Sequence, residues 1–570
     1  MMHDVFFVSQ ERKINVSTGT SLLDAAHQAG VFVESPCNRE GICGKCKVAV
    51  DGDSHSSLRD GQGDHLLRTV EEGDEWVLGC QVYIHGDVRV VVQSSEQSMT
   101  AIVADGKCCL VPLHPLIVKE YEPLSGTTRV MAGGLLLETE TGDTTDSLYG
   151  VAIDIGTTTL VVALVDLATG KERGSTSALN PQALHAQDVL SRIKLGSAED
   201  GLILLQTELF RELNRMIGLL SAGENGKRSH IYEAILSGNT TMLTIAAKTS
   251  PFFLGKSPYQ VQVQTDCSLP AVEIGLQIAE KGRVWFPPVA SAYVGADIIS
   301  GIIAADLLHL KGITLFVDIG TNGEMLIAAD GKITATSTAA GPAFEGMNIS
   351  CGMRAVDGAI EKVHLKGGMV EIQTISGALP IGLCGSGLLD VVGEMAREGI
   401  VDRNGRFAKP GTEVFEIWGD SIEVIGGRTR FRLSEKVSVT QQDIRQVQLA
   451  KGAVRAGVDL LLKKILLAAE EVDRVFIAGS FGAHLQVSSL VFLGLLPESF
   501  ADRVEFLGNT SRSGATAFLL NQEMRREASA LVKRMTVLEL SGEPEFEKIF
   551  LQALAFPQAA VNKKEHVYGV

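Results

Sequence analysis

Two stretches of this 570-residue chain spell the same construction. "YGVAIDIGTTTLVVALVDLATGKERGSTSALN" starts at 149, and "LFVDIGTNGEMLIAADGKITATST" starts at 315. In each, an apolar strand ends in an aspartate, Asp154 or Asp318. A glycine-rich turn follows, a second strand runs back, and a short turn ("ATGK" or "DG") leads into a third strand. A supersecondary unit that recurs far along one chain marks an internal duplication of a domain half. The length calls for several domains rather than one core.

The residue types in the repeat carry chemistry. Gly-Thr turns expose successive backbone N–H groups and hydroxyls that can cradle phosphate oxygens. Gly156, Thr157, Thr158 and Thr159, and then Gly320, Thr321, Asn322 and Gly323, are the candidate cradles. Asp154 and Asp318, at the strand ends, are placed to hold Mg2+ through water; the competing role is an aspartate capping its own turn. Two such turns facing each other would clasp a triphosphate of ATP. "EVDRVFIAGSFGAHL" reads as a buried strand ending in Gly479, Ser480 and Gly482, whose small size would let backbone approach a nucleoside. "LSGNTTM" and "LGNTSRSGATAFLL" read as small-residue helix starts. Glu324 is a candidate to orient the attacking water, against the plainer role of an exposed strand glutamate. Asp188 and Asp297 are candidate polar cleft residues or simple helix caps. Thr440 and Asp443 form a capping box ahead of a long helix, "TQQDIRQVQLAKGAVRAGVDLLLKKILLAAEE". "AAGPAFEG" (339–346) is too glycine-rich for plain core.

The front of the chain is different. "DVFFVS" and "RKINVS" alternate like a hairpin, and "SLLDAAHQAG" reads as a helix with a Ser21/Asp24 cap and Gly30 at C′. Then "CNREGICGKC" packs Cys37, Cys43 and Cys46 into ten residues, with Cys80 following in "VLGCQV". Three close cysteines and a distant fourth resemble the spacing of 2Fe-2S ferredoxins. A structural zinc site would favour two separated cysteine or histidine pairs. Cys37, Cys43, Cys46 and Cys80 are therefore the candidate cluster ligands. Cys108, Cys109, Cys267, Cys351 and Cys384 are read as small buried hydrophobes. Residues 94–147 loosen into a polar, proline-containing stretch, read as a tether with a small strand-containing module.

The formal net charge is −17. That argues against nucleic acid and against an anionic membrane surface as partners. No apolar run approaches the length of a membrane span, and the first residues lack the pattern of a signal peptide. Nine cysteines clustered toward the front suit metal or redox chemistry in a reducing compartment better than a disulfide framework. The expected location is cytoplasmic.

From 148 to about 560 the order of motifs resembles the superfamily of acetate and sugar kinases, heat-shock chaperones and actin. That resemblance implies two ribonuclease-H-like lobes with ATP in a cleft that closes by a hinge. With the cysteine domain in front, nearly the whole chain resembles the reductive activators of corrinoid proteins. The resemblance rests on "NPQALHAQDVLSRI" (180–193), "LSGNTTM", "PPVASAYVGADIISG" (287–301), "VDIGTNGE", "AAGPAFEGMNISCGMRAVDGAIE" (339–361), "GLCGSGLLD" (382–390), "TQQDIRQVQLAKGAVRAG", "AGSFGAHL" and "GLLP" (494–497).

The resemblance implies a multidomain α+β and α/β protein. A β-grasp 2Fe-2S ferredoxin-like domain would occupy 1–93 and a linker with a small middle region 94–147. One lobe of a ribonuclease-H-like ATPase would occupy 148–310, the other, with C-terminal elements, 311–570. It also implies an activity: one electron returned from the cluster, with ATP, to the inactive Co(II) corrinoid protein of a methyltransferase system. An external low-potential donor would refill the cluster, and a homodimer is compatible with the family. Two other readings stand beside it, an ATP-binding redox sensor and an ATP-driven electron donor to another low-potential enzyme.

Overall fold

Each apolar strand that ends in an aspartate becomes the centre of a sheet. The computed structural model describes residues 1–31, 33, 35, 46–50, 57–60, 69–71, 74–92, 111–222, 227–425, 427–479 and 485–557. Contacts divide the chain into two compact units: Met1–Leu310 with Gly331–Ile333 and Leu507–Val537, and Lys311–Asp330 with Thr334–Phe506 and Leu538–Val570.

In the first unit, the front residues build a six-stranded sheet. Its order is Arg12–Ser17, Met2–Phe7, Val88–Val91, Lys47–Val50, Asp74–Leu78, Thr69–Glu71. The first pair is antiparallel and Met2–Phe7 is parallel to Val88–Val91. Helix Leu22–Gln28 buries Leu22, Leu23, Ala25 and Ala26 in the domain core. Ser21 Oγ accepts from Asp24 N at 3.0 Å. Gly30 follows with φ +66, its N–H donating to His27 O while Val31 N–H reaches Ala26 O. These are the two bonds of a Schellman end, as the sequence required.

Of the stretch read as a tether, Ile117–Thr141 holds a three-stranded antiparallel meander. Lys119, almost wholly buried, pairs with Glu140 at 2.5 Å, and Tyr232 Oη donates to Glu140 at 2.6 Å. This ties the meander to strand Ile231–Gly238, through a satisfied buried ion pair.

The larger sheet of this unit runs Glu172–Leu179, Thr159–Asp166, Tyr149–Ile155, Ile231–Gly238, Arg283–Phe286, Cys267–Pro270. Tyr149–Ile155 is antiparallel to Thr159–Asp166 and parallel to Ile231–Gly238. Burial on both faces explains the apolar run "VAI" that precedes Asp154. Helix Glu199–Leu220 covers one face with Leu202, Leu205, Leu209, Leu213, Met216 and Ile217, a helical repeat of apolar residues. Helix Thr510–Leu520, from near the C-terminus of the chain, packs against Ala296–Ala304, Tyr149–Ile155 and Ile231–Gly238.

The second unit repeats the arrangement. Its sheet reads Val504–Gly508, Arg474–Ala478, Ile313–Ile319, Gly323–Ala329, Lys332–Thr338, Thr536–Leu538. Ile313–Ile319 is antiparallel to Gly323–Ala329 and parallel to Arg474–Ala478. The sequence repeat is thus a repeat of sheet order. Helix Gln441–Lys464 starts on Thr440 with the anticipated capping box to Asp443. It ends earlier than its apolar text, because Leu466 turns left-handed at φ +59 and breaks the helix. Among the scattered cysteines, Cys384 is buried as anticipated, whereas Cys267 and Cys351 are partly exposed. Cys267 begins the strand at the sheet edge, which leaves it half open to solvent. Cys108 and Cys109 lie outside the described residues. No helix among the described residues is long and apolar enough to cross a membrane.

Candidate functional site

The first turn is held from one side. Gly156 N–H closes it by donating to Thr159 O at 3.0 Å. A Cβ on Gly156 would stand 2.5 Å from that same carbonyl oxygen, so only glycine permits the closure. The carbonyls of Gly156, Thr157 and Thr158 then all go to one segment. Asn180 Nδ2 donates to Gly156 O at 2.9 Å, Arg192 Nη2 to Thr157 O at 2.6 Å, and Asn180 N to Thr158 O at 2.9 Å. Asn239, which caps helix Thr240–Ala246, adds an Nδ2 bond to Thr157 Oγ1 at 3.2 Å.

Asp154 ends its strand at the same place. Its carboxylate accepts from Asn509 Nδ2 at 2.8 Å and Ser511 Oγ at 2.7 Å. Ser511 in turn bonds Ser237, and Ser237 bonds Ser300. So Asp154 does not cap its own turn; its partners come from 355 and 357 residues further along the chain. Burial raises the Asp154 pKa above the usual carboxylate range despite these donors. Asp297, in the first turn of helix Ala296–Ala304, is pushed up to about 7, by burial first and by the charge of Asp154 second. Two half-buried carboxylates, one raised by the charge of the other, favour a shared proton or a cation. Asp188 is the N-cap of helix Val189–Gly196, bonded to Ser191 N at 2.8 Å, so the plainer of its two roles holds.

In the second unit the turn is held otherwise. Gly320 N–H donates to Asn322 O at 3.0 Å, and Thr321 Oγ1 donates to Glu345 Oε1 at 2.5 Å. Glu345 belongs to the single helical turn Pro342–Glu345, so the glycine-rich "AAGPAFEG" reaches the second turn through a carboxylate. Asp318 pairs in register with Glu324, which is buried and lies 3.4 Å from Ser337 Oγ. Gly479 stands beside the strand end at φ +120; a Cβ there would meet Ile319 O at 2.5 Å and Asp318 Oδ1 at 3.4 Å. Ser480 and Gly482 lie outside the described residues.

At the front, Cys46 and Cys80 come together across 34 residues, with Sγ atoms 3.2 Å apart. That is too far for a disulfide. The Cys46 thiol is brought down to about 7, first by its bond to Cys80 and then by nearby backbone N–H groups, against burial. Easily deprotonated, adjacent thiols fit the donor set a 2Fe-2S cluster needs. Cys37 and Cys43 lie outside the described residues. Ser35, two residues before Cys37, accepts a bond from Gln187 Nε2 at 2.9 Å.

The sequence missed Asn180, Gln182, Arg192, Asn509, Ser511 and Glu345 as site residues. The available signal was an arginine and three side-chain amides, Asn180, Gln182 and Gln187, inside "NPQALHAQDVLSRI", a stretch whose evident cap is Asp188.

Residues 6–85 match the family of 2Fe-2S iron-sulfur cluster binding domains. Residues 149–310 match the RACo middle region, and residues 312–568 the C-terminal domain of RACo, the ASKHA domain. Fold and matches together define an iron–sulfur protein joined to an actin- and sugar-kinase-like body. The first domain supports a 2Fe-2S cluster, and the last points to ATP binding.

A solved structure, "Reductive activator for corrinoid, iron-sulfur protein", is similar over 98% of each chain, at 30% identity and a TM-score of 0.72. The corrinoid activation enzyme RamQ of Eubacterium limosum is 27% identical over 616 residues, covering 97% of this chain and 99% of that protein. The [Co(II) methylated amine-specific corrinoid protein] reductase of Methanosarcina barkeri is 24% identical over 464 residues, covering 74% and 81% respectively. The chain belongs to the RACo family.

Proposed function

We propose that this chain is an ATP-dependent reductive activator, which returns the inactive Co(II) corrinoid protein of a methyltransferase system to Co(I). The observation that carries this is the union, in one chain, of a cysteine-pair domain at the front and a duplicated aspartate–glycine-turn body behind it. Cys37, Cys43, Cys46 and Cys80 would hold a 2Fe-2S cluster, which would supply one electron.

Such clusters have potentials near about −400 mV. Reduction of a bound corrinoid to Co(I) lies lower still, so the transfer runs uphill. Each 0.1 V for one electron is about 2.3 kcal/mol, a gap within reach of differential binding coupled to ATP.

Gly156, Thr157, Thr158 and Thr159 cradle phosphate oxygens in one unit, and Gly320, Thr321, Asn322 and Gly323 do so in the other. Asp154 and Asp318 are the residues that would hold Mg2+, which when bound would offset phosphate charge; the raised carboxyls of Asp154 and Asp297 suit a nearby cation. Gly479, with Ser480 and Gly482, leaves room for the nucleoside, and Glu324 orients the attacking water. The working division is a cluster domain over 1–93, a connecting region over 94–147, and ATPase halves over 148–310 and 311–570. An external low-potential donor refills the cluster, the protein works in the cytoplasm, and it assembles as a homodimer.

The test mixes reduced protein, MgATP and a candidate Co(II) corrinoid protein and follows Co(I) absorbance. Co(I) formed only with ATP present is the expected result. Equal reduction without nucleotide, or none with any corrinoid protein, overturns the reading.

A further inference from the structure

The segment Asn180–Arg192 captures three successive carbonyls of the first turn, those of Gly156, Thr157 and Thr158. Among the described residues the one cis peptide bond is Ser257–Pro258, so these peptides are trans. In a trans peptide the C=O and the following N–H point in opposite directions. Pinning three carbonyls onto one wall therefore turns the N–H groups of Thr157, Thr158 and Thr159 to the other side. Consecutive N–H groups presented on one side are an anion-binding arrangement.

Arg192 is fully buried. Its guanidinium donates to Thr157 O at 2.6 Å, Ala186 O at 2.9 Å, Gln182 Oε1 at 3.2 Å and Met242 Sδ at 3.1 Å. All four acceptors are neutral. A buried cation without a carboxylate in its hydrogen bonds costs folding energy. That cost is offset when negative charge arrives on the far side of the turn. Burial, against the nearby charge of Asp188, lowers its pKa to about 9, which still leaves it charged at neutral pH.

We infer that Arg192, with Asn180, is a positioning residue for nucleotide phosphate, fixing the direction of the N–H groups in the Gly156–Thr159 turn and setting a buried positive charge behind it. The inference rests on reading that turn as the phosphate cradle.

Binding of adenosine, ADP and ATP is measured by calorimetry on the full chain carrying its cluster. The variants are Arg192→Gln, Arg192→Lys, Asn180→Ala and Gly156→Ala. Arg192→Gln weakens ATP at least about tenfold, as removal of a charge-assisted buried bond should. It weakens ADP less and leaves adenosine unchanged, and Arg192→Lys falls between it and wild type. ATP affinity kept by Arg192→Gln, or lost equally for ATP and adenosine, overturns the inference. If Arg192→Gln does not melt cooperatively, Asn180→Ala decides by the same comparison, with a loss of about fivefold expected for ATP alone. Wild type that binds no ATP, or Gly156→Ala that binds it normally, removes the cradle reading and this inference with it. Gly156→Ala that loses ATP beside an Arg192→Gln that keeps it removes the inference alone.

Discussion

The turn at Gly156–Thr159 gives three carbonyls to buried amide and guanidinium groups, whereas the turn at Gly320–Gly323 meets a carboxylate, Glu345, through Thr321. Both follow an aspartate at the end of a central strand, and both lie in sheets of the same order. Duplication reproduced the backbone path but not its surroundings. The groups that tune each turn come from segments that are not repeated, Asn180–Arg192 in one unit and Pro342–Glu345 in the other. One turn backs onto positive charge and the other onto negative charge, so the two copies are chemically unequal although their text is alike.

The sharpest way to break the comparison is at the two leading glycines. A Cβ on Gly156 would stand 2.5 Å from Thr159 O, whereas one on Gly320 would come no nearer than 3.7 Å, to Asn322 O. Gly156→Ala should cost about 2–4 kcal/mol of stability and Gly320→Ala less than about 1 kcal/mol. Chemical denaturation of both variants measures this, and equal costs would erase the steric difference between the turns.

Glu324 tests whether the acidic side does chemistry. If it orients water, Glu324→Gln lowers the ATPase kcat by about 10²-fold or more with KM nearly unchanged. An unchanged kcat in steady-state assays assigns it a packing role.

Two buried cations extend the contrast. Arg192 serves a turn; Lys451, in helix Gln441–Lys464, donates instead to Ala555 O at 2.5 Å and lies over the Phe556 ring. Burial, with the charge of Arg455, brings Lys451 down from 10.5 to about 7. The unfolded chain then holds one proton more than the folded chain between those values. Its contribution to stability therefore rises with pH across that window, by at most about 1.4 kcal/mol per pH unit. Lys451→Met should flatten that rise in melts between pH 7 and 10, and an unaltered slope refutes the assignment.

The smallest effect is expected at Gln187, which lies in the segment that holds the first turn and bonds Ser35 beside the cysteine loop. Gln187→Ala removes one partly exposed hydrogen bond, worth about 1 kcal/mol. Hydrogen exchange of residues 1–31 should rise slightly while the cluster spectrum stays the same. A spectrum changed along with exchange would show that the contact reaches the cluster loop itself.

Much of the front domain was legible because its signals are local. The Ser21 cap and the Gly30 helix end follow from residue type, spacing and alternation, whereas the meeting of Cys46 with Cys80 spans 34 residues and belongs to the fold. The strand–turn–strand repeat was legible for the same reason. Asp154 was found as a strand-end acid, but not its partners, since nothing in "DIGT" signals Asn509 or Ser511 hundreds of residues away. Arg192 was read only as part of a motif whose visible cap is Asp188.

By itself, then, the sequence determined the duplicated sheet pattern, the helix ends and the cysteine spacing, because hydrophobic period, turn residues and capping act over a few residues. Only the tertiary structure decided which turn rests on a buried guanidinium, which meets Glu345, and which hydroxyls and amides hold Asp154. Those meetings depend on the path of the whole chain, and the charge behind a turn comes from side chains that no short stretch of sequence contains.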